Sequence, residues 1–396
     1  MKITITSIIF AIILLILVST TRGVPGNLTF TDIRELITQV SSPFESSHER
    51  AYYAVLLSLD ERNSFALSVN EMRLVHPDVG IHEGNYYILQ AVGTPLLLYP
   101  LYQLGKLYGF SQYASYLGIS LFTFGNTLLI YYIVHKILKG TWYFGLVSAL
   151  TFVFATSAWA YGTTLYQHNP TTFFMLLSFV AAWQYQKHTV WSFLWGSIVW
   201  LFYAIAIWID YPNALFLLPT MFYFLFSSVC ISRKLKESVR VVVYPIIVLS
   251  SLIFWGISFV HGYYNYVNFG SPLRLSGSLP SVIQIEETKP EEKKNLDALL
   301  KELSEKKQPI SFFQEEHLVT GAQTFFIDDD RALFLFYPIL ILGLLGILIK
   351  KKKNGEYATV IAFSLMNILV YGSFGDHWGG WAFGSRFLII TMAILS

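Results

Sequence analysis

Glu45, His48, Glu49 and Arg50 stand close together, and Asp78, His82 and Glu83 follow at some distance. A carboxylate held within about 3 Å of an acceptor hydroxyl can take its proton as general base, so Glu49, Glu45 and Asp78 are the candidate catalytic groups. Each is equally able to be an ordinary solvated loop charge. Further along, Tyr161-Gly-Thr-Thr-Leu-Tyr-Gln-His168-Asn169-Pro170 brings a histidine to the edge of an apolar run. His168 has the chemistry to bind a phosphate or a metal, and the plainer role of a hydrogen-bonded interface residue. Asp210-Tyr211-Pro212-Asn213 reads more simply as a helix cap. The segment from Gly375 to Arg386 contains His377, Trp378, Trp381, several glycines and one cation. Its glycines permit close backbone approach to a ligand, and Arg386 can hold a phosphate through two parallel hydrogen bonds.

The elements that would position these residues are apolar. Hydrophobic residues make up 54% of the 396 and charged ones 13%, against about 25% charged in an ordinary soluble domain. The lone Cys230 excludes an intramolecular disulfide and argues against a cysteine zinc site. A helix needs about 20 apolar residues to cross a bilayer. Runs near that length occur at 3–20, 113–135, 143–161, 171–186, 190–209, 213–230, 241–260, 332–349 and 357–374, with a further helix starting at Phe387. They predict an all-α membrane protein with a bundle of about ten spans.

Residues 89–108 are apolar but interrupted by Gly93, Pro95, Pro100 and Gly105. Placing them along the interface puts Lys136, Lys139, Lys187, the basic residues of 233–240 and the lysines of 350–353 on one side, the cytoplasmic one. The first run has the charged start of a signal peptide but no small-residue cleavage site, which favours an anchor. The expected organisation is a first span at 1–20 and an extracytoplasmic loop at 21–112 with membrane-parallel helices, one over 51–59. Spans two to seven then occupy 113–260, a second outer loop 261–331, and the last spans 332–396. The final helix has only ten residues before Ser396, so a truncated C-terminus is expected. Leu296, Leu299, Leu300 and Leu303 suggest a surface helix within 286–307. Asp, Glu, Lys and Arg are absent from the span interiors between 113 and 374, which weakens an ion-coupled transporter.

Several motifs occur in order: Glu49-Arg-Ala-Tyr-Tyr53 with Ser58-Leu59; Glu83-Gly-Asn-Tyr-Tyr87 leading to Gly93-Thr94-Pro95 and Tyr99-Pro100; and Tyr161 to His168. Tyr264-Asn265-Tyr266 with Phe269-Gly-Ser-Pro272, Asp330-Arg-Ala-Leu-Phe334 with Tyr337-Pro338, and Trp378-Gly-Gly-Trp381 with Phe383-Gly384 and Arg386-Phe387 complete the series. In these the chain resembles the GT-C-type membrane glycosyltransferases, in particular the prokaryotic branch similar to dolichyl-phosphate-mannose protein mannosyltransferases. The resemblance implies a polyprenyl-phosphate sugar donor, a protein, lipid or glycan acceptor, membrane lipid around the site, a divalent metal ion as cofactor, and no nucleic acid. It places the catalytic carboxylate best at Glu49, where the family often carries an acidic pair and this chain has His48 and Arg50 as neighbours.

The expected function is therefore sugar transfer to a hydroxyl at the extracytoplasmic face of the plasma membrane. Glu49 would act as base, with Glu45 and Asp78 as substitutes. Arg386, Arg274, Arg331, His168, His377 and Trp378 would hold substrate or phosphate. The competing expectations are a transporter or flippase of a lipid-linked sugar, and a non-catalytic membrane subunit.

Overall fold

The computed structural model describes residues 2–38, 43–187, 190–227, 229–234, 238–243, 245–287, 299–300, 303, 312–349, 354–380 and 383–396. Helix α1 (Lys2–Thr20) and α2 (Phe30–Thr38) precede α3 (Ser47–Arg62) and α4 (Val69–Val75). Strands β1 (Val79–His82) and β2 (Asn85–Ile88) form an antiparallel hairpin in which His82 faces Asn85. Its two-residue turn has Glu83 and Gly84 both at positive φ, which matches the right-handed twist of the strands. Then come α5 (Gly93–Leu107), α6 (Ser111–Tyr132), α7 (Trp142–Phe154), α8 (His168–Lys187), α9 (Ser192–Ile209), α10 (Asn213–Phe216) and α11 (Leu218–Ser227). A second antiparallel hairpin, β3 (Val229–Lys234) and β4 (Ser238–Val243), leads into α12 (Pro245–Phe269) and α13 (Val282–Glu287). After these stand α14 (His317–Phe326), α15 (Leu333–Phe336), α16 (Leu340–Ile349), α17 (Gly355–Gly372) and α18 (Ile389–Leu395).

Among the described residues, three helices are long and apolar enough to cross a membrane by length and composition: Ser111–Ile137, Ser192–Ile209 and Pro245–Phe269. This corrects the expected all-α GT-C-like bundle of about ten spans. The multi-pass plasma-membrane placement with an extracytoplasmic active face depends on that bundle and falls with it. Local chemistry explains the shortfall. The run 143–161 stops as a helix at Phe154, where Thr156 turns its hydroxyl back to the Phe152 carbonyl (2.6 Å) and accepts from the Ala158 N–H (3.1 Å). The run 213–230 divides at Leu217, ahead of Pro219, and ends in β3. Pro338, which has no N–H to give, separates α15 from α16 within 332–349. Residues 241–243 belong to β4, so the third candidate span starts at Pro245. The helix expected within 286–307 is largely outside the described residues, and the lysines of 350–353 and Trp381 are wholly so.

The segment expected to lie along a membrane is instead a central element. Ser46 caps α3 by accepting from the Glu49 N–H, and Asn63 ends it in the left-handed conformation at φ 50°. Between them every residue from Ala51 to Ser58 is buried, with Tyr52 and Tyr53 fully enclosed. Such all-round burial leaves no polar face for water and no apolar face for lipid. α5 packs on α6 and on the end of α9, where a Cβ at Gly93 would come within 2.1 Å of the Trp208 carbonyl oxygen; only glycine allows that approach. One apolar core surrounds α3 with Tyr116 and Phe269, and a second joins Phe152, Phe179, Phe216, Phe363 and Met392. The candidate site lies where segments from both cores meet.

Candidate functional site

Arg331 shapes the C-terminal side of the site. It is buried, and its guanidinium donates to three carbonyls: Trp378 (3.0 Å), Asp330 (3.1 Å) and Gly380 (2.9 Å). The same group lies 4.4 Å from the centre of the Trp378 ring, whose indole N–H donates to Asp330 at 2.8 Å. Ser385 closes the clasp by donating to the Arg331 carbonyl. Gly379 and Gly384 take φ values of +77° and +57°, the left-handed region that side chains disfavour. A Cβ at Gly379 would meet Phe387 at 3.0 Å and the Arg386 Nε at 3.4 Å.

Arg386 follows the clasp. Its guanidinium carbon is 5.5 Å from the Tyr166 ring centre and 5.2 Å from that of Phe387. Its Nε is buried without a hydrogen-bond partner, and its side chain makes no hydrogen bond or ion pair among the described residues. Tyr166 also stacks on His48, with ring centres 5.0 Å apart, and its hydroxyl donates to Ser46 Oγ at 2.7 Å. Phe387 stacks on Tyr371 at 4.3 Å, and the Tyr371 hydroxyl donates to Asp210 at 3.1 Å.

A cavity of about 560 Å³ opens between these parts, lined among others by the Arg22–Glu45 ion pair, Ser46, Tyr161, Tyr166, Arg331 and Trp378. Ser46 Oγ already accepts from the Glu49 N–H and the Tyr166 hydroxyl, so its own proton points to no acceptor among the described residues. Tyr161 spans the site by donating to the Phe383 carbonyl at 2.7 Å. The lining thus combines a hydroxyl donor, aromatic walls and a neighbouring cation.

The buried ionisable groups respond to this setting. Burial pushes Glu49 up to about 7, opposed by hydrogen bonds from the Leu165 and Ser46 backbone and by the charges of Arg22 and Arg50. Both carboxylate oxygens are engaged, one by the Glu45 N–H (2.6 Å) and one by the Leu165 N–H (3.3 Å). Burial and then Arg386 hold His48 down at about 3, while its bond to Gln167 (2.7 Å) opposes them. His168 is held well below its ordinary value by burial, Arg386 and His48. Burial raises Asp210 to about 6 against the pull of Tyr371, Gln167 and Arg386. Two histidines are therefore kept neutral beside an arginine.

Of the residues named from the sequence, Glu45, Arg331 and Trp378 line the cavity. Glu49 caps the chain behind it, and Asp78 accepts from Ser47 at 2.5 Å at the same helix start. His168 contributes a buried ring beside Tyr161, Tyr166 and Phe387. Two fall elsewhere: Arg274 donates to the Phe269 carbonyl (3.3 Å) and neighbours His82, and His377 lies 6.3 Å from the His317 ring. Sequence reasoning missed Ser46, Tyr166, Gln167 and Tyr371 and took Asp210 for a cap. Asp210 does end α9, but its carboxylate reaches Tyr371 as well. Gln167 beside His168 was the one visible signal; Tyr371 sits in an apolar run and carries none.

No family model, no curated protein and no solved structure matches the chain. The likeness to GT-C-type glycosyltransferases is thereby corrected, since among the described residues three candidate spans stand where about ten were expected. Sugar transfer from a lipid-linked donor, and with it the assignment as a hexosyltransferase, is drawn from that frame and falls too. The lipid-linked-sugar transporter and membrane-subunit alternatives rest on the same frame. Among the described residues there is also no group of three or more His, Cys, Asp or Glu able to hold a metal ion.

Proposed function

We propose that the chain binds an amphiphile with an anionic head, a lipid phosphate or a compound of the same chemistry. Arg386 carries the reading: a guanidinium without a hydrogen bond or ion pair among the described residues, packed on Tyr166 beside the cavity. A partly enclosed cation with unmade hydrogen bonds gains more from an anion than one already satisfied. Ser46 supplies a second donor, and Tyr161, Tyr166 and Trp378 offer the aromatic contact an acyl or prenyl stem requires. The cavity volume of about 560 Å³ is that of a small-molecule cleft. A divalent cation accompanying a phosphate head belongs to the same reading, and titration with and without Mg²⁺ tests it.

The probe is octyl sulfate below its micelle concentration, because a sulfate ester keeps one charge across the working pH range. Calorimetric titration of the purified full chain should give a saturable site that Arg386→Gln weakens by about ten- to a hundredfold. Equal affinity in the two proteins would sink the proposal.

A further inference from the structure

A carboxylate, Asp210, is linked to Arg386 through two stacked rings. Asp210 leaves the end of α9 and is held by the Tyr371 hydroxyl at 3.1 Å. Tyr371 stacks on Phe387, whose ring also carries the Arg386 guanidinium, so aromatic packing ties the acid to the cation. The charged and titratable groups acting on Asp210 come from every side: Arg386 from the C-terminal loop, Tyr371 from α17, Tyr52 from α3, and Tyr211 beside it, with Gln167 as a further hydrogen-bond partner. Arg386 is the sole cation in that set. His48 and His168 face Arg386 as well, and both stay neutral there.

Resting on the anion-binding reading above, we propose that Asp210 is the internal counter-ion of Arg386, and that its protonation sets how tightly the site holds an incoming anion. An ionised Asp210 lowers the positive potential that the anion meets; a protonated one leaves the potential to Arg386 alone. Binding and protonation are then reciprocally coupled, so an anion on Arg386 also favours the neutral acid. Burial has already brought Asp210 to about 6, where modest acidification neutralises it. Gln167 contributes direction. Its carbonyl faces His48 Nε2, which leaves its amide N–H groups for Asp210 and requires His48 to carry its proton on Nε2.

Octyl sulfate affinity measured from about pH 5 to about pH 8 tests this, since the probe's charge does not change. The wild-type chain should bind about tenfold more tightly at the acid end. Asp210→Asn should bind tightly throughout and lose the step near 6, while any step near 7 from Glu49 persists. Tyr371→Phe keeps the ring stack but removes a hydroxyl that favours the ionised acid, so its midpoint should move upward; this variant decides the matter if Asp210→Asn does not fold. A wild-type profile flat near 6, an unchanged step in Asp210→Asn, or an unmoved midpoint in Tyr371→Phe would overturn the counter-ion while leaving the site. Absence of binding at every pH, or equal binding by Arg386→Gln, would overturn the site itself and this inference with it.

Discussion

Arg331 and Arg386 meet the same glycine-rich loop from its two ends, and their guanidinium groups are spent differently. Arg331 is buried and gives its N–H groups to three carbonyls, with the Trp378 ring against its face. The Arg386 side chain lies against two rings and makes no hydrogen bond among the described residues. A cation whose donors are satisfied by backbone builds structure, whereas one held only by aromatic faces keeps its donors for something else. One arginine holds the loop in place; the other uses the place so made.

That contrast can be broken at either end. Arg331→Met should cost about 3 kcal/mol in denaturant unfolding, because it takes the donor from three carbonyls and removes the ring contact. Arg386→Gln should change stability by less than about 1 kcal/mol while losing anion affinity, the reverse pattern. If both variants lost stability alike, the division of labour would be wrong. Glu49→Gln tests the rear wall through pH. The folded carboxyl titrates at about 7, above its ordinary value of 4.5, so the fold favours the neutral acid. Stability from this group is therefore full below about 4.5 and is lost as pH rises through 7. The variant should flatten that decline in a pH series of unfolding curves; an unchanged slope would remove Glu49 as its source. Tyr161→Phe, which deletes the bond to the Phe383 carbonyl, should cost about 1 kcal/mol and leave probe affinity nearly intact.

The polar residues were legible in the sequence to a useful degree. His168, Arg386, Trp378 and the acids near Glu49 stood out because charge is rare in so apolar a chain, and Glu45 and Trp378 line one cavity with Arg386 packed on its Tyr166 wall. Arg274 and His377 stood out for the same reason and lie elsewhere. The architecture was harder, because an apolar run has the same composition whether it faces lipid or another helix. α8 and α17 bury Asn169, Thr172 and Asn367, which shows their apolar neighbours serving an interior with polar ties of its own. The breaks at Leu217 and Pro338 had local signals in the nearby prolines, yet the length of the apolar runs outweighed them. Tyr371 could not have been found: its pairing with Asp210 joins residues 161 positions apart.

Arginine side-chain NMR resolves the central claim most directly, by following the Nε–H signals of Arg386 and Arg331 as octyl sulfate is added. Assignment comes from the signals lost in Arg386→Gln and Arg331→Lys. Arg386 should shift and saturate with the calorimetric affinity while Arg331 stays in place. Movement of Arg331 with Arg386 unmoved, or no movement of either, would contradict the account.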